Sequence, residues 1–405
     1  MNIFQKAFNR CFQKGMKLGM YFVNFHEPEL LEGLDAIPNK MKETGLTSTL
    51  IVTDDVLHNK LKMIEGLKAS LENAGVKYFV YDKTVPNPTI DNIEEALKIY
   101  NENGCDCLVA FGGGSSMDCA KGVGARVAQP NKAIPKMKGQ LKVLKKLPPL
   151  FAVPTTSGTG SEATLAAVIS NSETHEKYAI NDPVLIPQYA VLDPTLTLGL
   201  PKHITSTTGM DALTHAVEAY IGSSNTEKTK DMAIRATKLI FENLKKAYDD
   251  GSDFKARRNM QFASFYAGIA FTRAYVGNVH AIAHTLGGMY GVPHGLANAV
   301  ILPHILDFYG EKAYKKLADL ANAVGITGDE ATRAKQFIQA VKDMNEYMAI
   351  PTGIKGIKEE DIPTMVDRAY AEANPLYPVP VMMDKAQFTA MYHEIMLPDE
   401  ATDNK

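Results

Sequence analysis

The sequence predicts an α/β N-terminal domain, residues 1–202, followed by an all-helical domain, residues 203–405. The chain has 405 residues, and one hydrophobic core usually stops growing at about 250–300 residues, so two domains are expected. Up to about residue 200, short apolar runs alternate with segments of helical period, which indicates strands and helices in turn. Beyond about residue 203, almost every segment has helical period.

The predicted elements of the first domain alternate in type. Strand–helix alternation at this spacing implies a parallel sheet with right-handed crossovers. In chain order they are a strand at 47–55, a helix at 61–75, a strand at 77–82, a helix at 92–104, a strand–turn–helix segment at 105–128 and a strand at 147–156. Helices of the second domain are expected in TSTTGMDALTHAVEAYIG, TKDMAIRATKLIFENLKKAYDD, RNMQFASFYAGIAFTRAY and EKAYKKLADLANAVG.

The composition excludes several classes of protein. Hydrophobic residues make up 45% and charged residues 22% of the chain, as in ordinary globular proteins. A net charge of −3 gives no sign of nucleic-acid binding, and no apolar run reaches the roughly 18–20 residues of an integral membrane span. The four cysteines fit reduced structural thiols, so a cytoplasmic protein is expected. The N-terminal arm, about residues 1–25, is basic and mildly amphipathic without signal-peptide features, which leaves a packing or a peripheral role open.

Three features at the ends of predicted strands favour a nucleotide site. The segment FGGGSSMD (111–118) opens a helix, and its glycines let the backbone approach a phosphate at the positive end of the helix dipole. It has neither the G-x-G-x-x-G fingerprint nor the P-loop lysine, so a simple tight turn is the alternative. The loop PTTSGTGSEAT (154–164) offers hydroxyls and amides, and Asp54 is placed to receive ribose hydroxyls. Together these features favour NAD.

Five polar residues on otherwise apolar helices point to a metal ion. Asp211 and His215 are four residues apart, on one face of a predicted helix. His280 and His284 repeat this spacing, and His294 follows a Gly-Val-Pro turn. One carboxylate with several imidazoles suits Fe²⁺ or Zn²⁺ better than Ca²⁺ or Mg²⁺. The alternative is that each histidine is hydrogen-bonded separately within a helical core.

These motifs together resemble those of the iron-containing (group III) alcohol dehydrogenases, the family that includes lactaldehyde and 1,3-propanediol reductases. The matching segments stand in the family's order and spacing between about residues 50 and 305. The resemblance implies a Rossmann-like nucleotide-binding domain followed by an all-helical metal-binding domain, the fold shared with dehydroquinate synthase. The segments are VPNPT, FGGGSSMDCAK, PTTSGTGSEAT, GMDALTHAVEAY and HAIAHTLGGMYGVPHGLANAV.

The resemblance also implies a role for each site residue. Spacing alone would make His284 a metal ligand beside His280, whereas in the family the matching histidine lies beside the nicotinamide and takes part in proton transfer. Asp54 would bind the adenosine ribose, and family members that prefer NADP often have glycine there. The implied metal ligands are Asp211, His215, His280 and His294. The implied NAD contacts are Asp54, Asn87, Gly113, Gly114, Ser115, Thr155, Thr156, Thr164, Lys177, Leu196 and Gly199.

The expected function is therefore a metal-dependent, NAD(H)-linked alcohol dehydrogenase or aldehyde reductase. Hydride would pass between the nicotinamide and a small primary alcohol or aldehyde held on Fe²⁺, with Zn²⁺ as the other candidate ion. A homodimer or larger homo-oligomer is expected from the resemblance. The alternatives are a zinc polyol dehydrogenase of the glycerol type or a related lyase-like synthase, a metal-dependent hydrolase, and a non-catalytic helical protein stabilised by metal.

Overall fold

Two compact units make up the chain in the computed structural model, which describes residues 1–20, 25–172 and 176–398. The sheet unit comprises Val23–Leu200 and Gly251–Thr272, and the helical unit comprises Met1–Phe22, Pro201–Asp250 and Arg273–Lys405. The change of unit between Leu200 and Pro201 lies close to the predicted boundary at residue 202. Two segments group differently from the prediction: the N-terminal arm belongs with the helical unit, and residues 251–272 belong with the sheet unit.

The sheet unit is built on six parallel strands, which confirms the predicted parallel sheet. Every residue of three of its four inner strands, β2 (Ser48–Val52), β4 (Cys107–Gly112) and β6 (Leu150–Pro154), is buried, as expected for a sheet covered on both faces. The spatial order is β1-β9-β6-β4-β2-β3. The strands are β1 (Glu29–Glu32), β2 (Ser48–Val52), β3 (Lys77–Tyr81), β4 (Cys107–Gly112), β6 (Leu150–Pro154) and β9 (Tyr189–Leu192).

Helices of the sheet unit cover both faces of the sheet, and alternate residues of each strand point to opposite faces. Leu50 and Leu108 belong to one hydrophobic cluster, and their neighbours Ile51 and Val109 belong to the other. The helices of this unit are α2 (Ala36–Thr44), α3 (Glu65–Asn73), α4 (Ile90–Glu102), α5 (Gly114–Ala128) and most of α8 (Phe254–Ala274).

A second, three-stranded sheet in this unit was not predicted. It consists of β5 (Gly139–Gln140), β7 (Ala166–Asn171) and β8 (Glu176–Asn181), in the order β5-β8-β7. Strands β7 and β8 pair antiparallel, so the predicted strand–helix alternation stops locally after β6.

The helical unit contains no strand among its described residues that belongs to either sheet, which confirms the predicted helical C-terminal part. Its helix α6 is buried on nearly all sides, and α10 packs closely against it. Gly295 permits this packing, because a Cβ added there would lie 2.5 Å from the carbonyl oxygen of Thr207. The helices are α1 (Ile3–Met20), α6 (Lys202–Ile221), α7 (Glu227–Asp249), α9 (Asn278–Tyr290), α10 (His294–Tyr309), α11 (Glu311–Ala323), α12 (Glu330–Tyr347), α13 (Ile362–Ala373) and α14 (Lys385–Ile395).

The N-terminal arm packs within the helical unit as α1. Arg10 donates hydrogen bonds to the carbonyl oxygens of Val379 and Pro380 at 2.9 and 3.1 Å. Gln13 donates at 3.0 and 2.8 Å to two further carbonyl oxygens of the same C-terminal segment. Of the two roles left open, the structure therefore shows packing through the polar side of α1. Within the described ranges, no helix combines the length and apolar character that a membrane crossing needs.

Candidate metal centre and nucleotide site

Three helices of the helical unit bring one carboxylate and three imidazoles together. Asp211 and His215 lie one turn apart on α6, His280 lies in the first turn of α9, and His294 is the first residue of α10. One ligand atom from each of these four residues lies within 4.8 Å of the others. The four predicted metal ligands are therefore gathered at one place, whereas His284 lies outside this group.

The donor set fits a divalent transition metal. Asp211 and His280 are each 2% exposed and His215 is 4% exposed, so these three residues are shielded from water, whereas the side chain of His294 is 30% exposed. Burial, followed by the neighbouring imidazoles of His215 and His294, lowers the pKa of His280 well below its ordinary value. A neutral imidazole is the form that binds a metal ion. Three such nitrogens and one carboxylate oxygen match the ligand preferences of Fe²⁺ and Zn²⁺.

Two further polar residues, which are not among the predicted site residues, contact this group. Glu218 accepts a hydrogen bond from Nδ1 of His280 at 2.6 Å, and Asn298 donates one to Oδ1 of Asp211 at 2.6 Å. Burial raises the pKa of Glu218, and the hydrogen bonds that it accepts from the backbone N–H groups of Val279 and Gly277 oppose this rise. A signal for both was present in the sequence, since Glu218 follows His215 by three residues and Asn298 follows His294 by four.

His284 is held by a different carboxylate. It lies one turn after His280 on α9, and its Nδ1 is 2.6 Å from Oε1 of Glu372. The hydroxyl of Tyr377 donates to the same oxygen at 2.6 Å. Because a carboxylate accepts from Nδ1–H, the lone pair of His284 is left on Nε2. Its side chain is 29% exposed.

In the sheet unit, the glycine turn joins β4 to the start of α5. Gly112 has a φ of +152°, and a Cβ there would lie 2.4 Å from Oγ of Ser116. A Cβ on Gly114 would lie 2.9 Å from Cγ2 of Thr159. The turn therefore needs glycine, and its backbone N–H groups stand at the N-terminus of a 15-residue helix.

The loop at 154–164 is held in place by a buried lysine. Lys121 on α5 is fully buried and donates to the carbonyl and hydroxyl oxygens of Ser161 at 2.8 and 2.9 Å. It also donates to the carbonyl and hydroxyl oxygens of Thr164 at 2.9 and 3.0 Å. Burial lowers the pKa of Lys121 to about 8. This lysine fixes the conformation of the loop, and no role for it follows from its place in the FGGGSSMDCAK segment.

The predicted NAD contacts all lie in the sheet unit. All of them except Lys177, which lies on β8 of the three-stranded sheet, follow the carboxyl ends of the parallel strands. Lys177 and Asn87 are directly joined, since Nζ of the lysine is 2.6 Å from Oδ1 of the asparagine. The backbone N–H of Asn87 donates to Oγ of Ser115 at 3.2 Å. Asp54 follows β2, and its Oδ1 accepts from the N–H of Leu57 at 3.0 Å.

The other predicted NAD contacts are not all joined to one another by hydrogen bonds. Gly113 lies beside Thr156, since a Cβ added to the glycine would be 3.5 Å from the threonine hydroxyl. The N–H of Thr155 donates to the carbonyl oxygen of Gly112. Leu196 is buried in a short 3₁₀ helix after β9. Gly199 is exposed, and nothing lies within 4 Å of a Cβ built on it.

Comparisons with known proteins find matches to both the N-terminal and the C-terminal part of the chain. A family model for iron-containing alcohol dehydrogenase matches residues 31–194, and one for the C-terminal part of the Fe-containing alcohol dehydrogenase family matches residues 205–396. A 1,3-propanediol dehydrogenase from Citrobacter freundii is 38% identical over 358 residues, which cover 87% of this chain and 92% of that protein. An NAD-dependent methanol dehydrogenase from Bacillus methanolicus is 37% identical over 341 residues, which cover 83% and 89%.

The same relationship holds for solved structures. An alcohol dehydrogenase from Oenococcus oeni is similar with a TM-score of 0.87 at 36% identity, covering 92% of this chain and 99% of that one. The resemblance and the two-part fold predicted from the sequence are thereby confirmed. The chain belongs to the iron-containing alcohol dehydrogenase family.

Proposed function

We propose that this enzyme is a metal-dependent, NAD(H)-linked alcohol dehydrogenase that acts on a small primary alcohol or the corresponding aldehyde. The observation that carries the proposal is the buried group of Asp211, His215, His280 and His294 in a member of this family. Fe²⁺ is the proposed ion and Zn²⁺ the other candidate, since both accept imidazole and carboxylate ligands.

NAD is the proposed cofactor because of the acid at the end of β2. A carboxylate at Asp54 accepts hydrogen bonds from ribose hydroxyls and repels the 2′-phosphate of NADP. The related NAD-dependent methanol dehydrogenase supports the same choice. The proposed contacts are Asp54, Asn87, Gly113, Gly114, Ser115, Thr155, Thr156, Thr164, Lys177, Leu196 and Gly199.

The proposed chemistry divides between the cofactors and the side chains. A bound Fe²⁺ or Zn²⁺ supplies Lewis-acid polarisation of a substrate oxygen, and the nicotinamide carries the hydride. Neutral His280 presents Nε2 for binding because Glu218 holds its Nδ1–H. His284, oriented by Glu372, transfers a proton between the site and solvent through Nε2.

Compartment and assembly are further parts of this proposal. The described cysteines are all unpaired, and three of them, Cys105, Cys107 and Cys119, are buried, which suits a reducing compartment such as the cytoplasm. A homodimer or larger homo-oligomer is proposed, and the exposed Phe4 and Phe8 on α1 supply apolar surface of the kind found at interfaces.

The central test is anaerobic purification with metal analysis, followed by NADH oxidation assays. Metal-stripped protein and protein loaded with Fe²⁺ or Zn²⁺ are compared on short aldehydes, with glycerol and NAD⁺ included for the polyol alternative. Metal-dependent consumption of NADH is expected. Stoichiometric metal with neither NADH turnover nor NADH binding would contradict the dehydrogenase proposal and favour a metal-dependent hydrolase.

His284→Ala is expected to lower turnover by about 10²–10⁴-fold, the usual contribution of a general acid–base group. The metal content should stay close to that of the wild type, because His284 lies outside the group of four ligand residues. Turnover and elemental analysis on the same preparation check both parts. Loss of stoichiometric metal in this variant would show that His284 is itself a ligand.

Asp54→Asn is expected to shift the preference from NADH towards NADPH by at least about tenfold in kcat/KM. The change removes one negative charge, and a hydrogen bond to a charged group contributes about 1.5–3 kcal/mol. An Asn side chain still accepts from the N–H of Leu57, so the turn should be kept. The matched control is Asp55→Asn, which removes the exposed neighbouring carboxylate that pairs with Lys60. An equal shift in both variants would rule out a specific ribose contact.

A further inference from the structure

The carboxamide of Asn298 contacts three of the four grouped ligand atoms. Its Nδ2 is 2.6 Å from Oδ1 of Asp211, and it is 3.2 and 3.1 Å from Nε2 of His280 and His294. A carboxamide nitrogen carries two N–H donors, so it cannot hold all three acceptors at once. The shortest of the three contacts, the one to Asp211, is the hydrogen bond that most strongly restrains its partner.

This contact fixes the rotation of a buried carboxylate. Asn298 is fully buried on α10, one turn after His294, and Asp211 belongs to α6. An Asp side chain rotates broadly about its terminal bond unless a donor holds one oxygen. The hydrogen bond therefore determines which way the oxygens of Asp211 face, and it joins the two helices that carry three of the four ligand residues.

Glu218 performs the same task for His280. Its Oε2 accepts from Nδ1 of His280 at 2.6 Å and from the N–H of Gly277 at 2.8 Å, while Oε1 accepts from the N–H of Val279 at 2.9 Å. The two backbone contacts hold the carboxylate at the N-terminus of α9, where a negative charge is favourable. The contact with Nδ1 of His280 fixes both the ring orientation and the tautomer of this histidine, so that its lone pair is on Nε2.

We propose that Glu218 and Asn298 are positioning residues that set the metal affinity of this site by orienting His280 and Asp211. The inference rests on the proposed function, since it takes the four grouped residues as metal ligands. Hydrogen-bond partners of ligands raise metal affinity because they keep each donor atom aimed at the ion, and removing one typically weakens binding about 10–100-fold.

The test is competition for Zn²⁺ against a chromogenic chelator, using the full-length chain. Asn298→Ala and Glu218→Gln are each expected to weaken Zn²⁺ binding by about 10–100-fold. Gln keeps the size of Glu218, but it replaces one acceptor oxygen by an NH₂ group that cannot accept from the facing N–H groups. The matched control is Asn345→Ala, which removes a buried hydrogen bond to the carbonyl oxygen of Ala299 at 2.7 Å and should leave Zn²⁺ affinity unchanged.

A spectroscopic readout separates orientation from general loss of structure. The visible absorption of bound Co²⁺ depends on the number and geometry of its ligands, so it should change in Asn298→Ala and Glu218→Gln but not in Asn345→Ala. Circular dichroism of the metal-stripped proteins checks that each variant folds. If Glu218→Gln does not fold, the Zn²⁺ affinity and the Co²⁺ spectrum of Asn298→Ala test the proposal.

The possible failures are distinct. Wild-type protein that binds neither Zn²⁺ nor Co²⁺ would contradict the proposed function itself. The inference alone would be overturned if the wild type binds Zn²⁺ while Asn298→Ala and Glu218→Gln keep Zn²⁺ affinities within about threefold of it. Both variants would then also show an unchanged Co²⁺ spectrum. An equal loss of affinity in Asn345→Ala would also overturn it, because the effect would then follow from reduced packing.

Discussion

His280→Ala is expected to lose stoichiometric metal and to lower turnover by about 10³-fold or more. His280 is 2% exposed, and its ring stacks on that of His215 at 4.6 Å between centroids, so its truncation removes one ligand nitrogen from the middle of the buried group. A metal ion contributes several kcal/mol to stabilising charge on a substrate oxygen, and about 4 kcal/mol corresponds to roughly 10³-fold in rate. Elemental analysis and steady-state assays on one preparation measure both effects.

The matched control for this variant is His304→Ala. His304 lies on α10 in the same unit, where it contacts Glu394 at 2.7 Å and the carbonyl oxygen of Thr352 at 3.2 Å. Its removal should leave metal content and turnover unchanged. Full metal content and wild-type turnover in His280→Ala would disprove the assignment of the centre, whereas loss of both in His304→Ala as well would indicate general damage to the helical unit.

Sequence spacing was sufficient to predict a cluster of polar residues and insufficient to select which of them form the proposed metal centre. Residues four apart on a helix share a face whatever surrounds them, so the pair Asp211 and His215 could be read directly. His280 and His284 satisfy the same rule, yet the structure places them beside different carboxylates, Glu218 and Glu372. Those partners come from other segments, and a local pattern does not encode which distant carboxylate a histidine meets.

The parallel sheet was predictable because its inner strands are buried on both faces. Such strands appear as continuous apolar runs, as in the segments around Leu50, Val109 and Phe151. The β7–β8 hairpin was missed because its strands mix polar and apolar residues, as in Ala166–Asn171, and half-buried edges of this kind leave a weak periodic signal.

Periodicity also could not say to which unit a helix belongs. The segment that forms α8 was correctly predicted as helical, but most of it groups with the sheet unit. One contact that joins α8 to this unit is a close backbone approach between two glycines, Gly268 on α8 and Gly160 in the loop at 154–164. A contact between two residues that lack side chains leaves no hydrophobic pattern in either segment.

Gly268→Ala is therefore expected to destabilise the sheet unit, although alanine is the better helix former. A Cβ at residue 268 would lie 2.6 Å from the carbonyl oxygen of Gly160 and 3.2 Å from its Cα, so the backbone has to move. Overpacking of this kind costs about 1–3 kcal/mol, which exceeds the helix-propensity gain of at most about 1 kcal/mol. The free energy of unfolding should fall by about 1–2 kcal/mol, and NADH binding should weaken because the loop at 154–164 shifts.

The matched control is Gly66→Ala, a helical glycine of the same unit. A Cβ there meets its nearest neighbour, Cδ1 of Leu34, at 3.7 Å, which is an ordinary contact. This variant should be neutral or more stable by up to about 1 kcal/mol, with unchanged NADH binding. Thermal unfolding and a fluorescence titration with NADH measure both quantities. If the two substitutions behave alike, the contact between α8 and the loop does not constrain the nucleotide site; opposite signs would show that this glycine pair holds the loop in place.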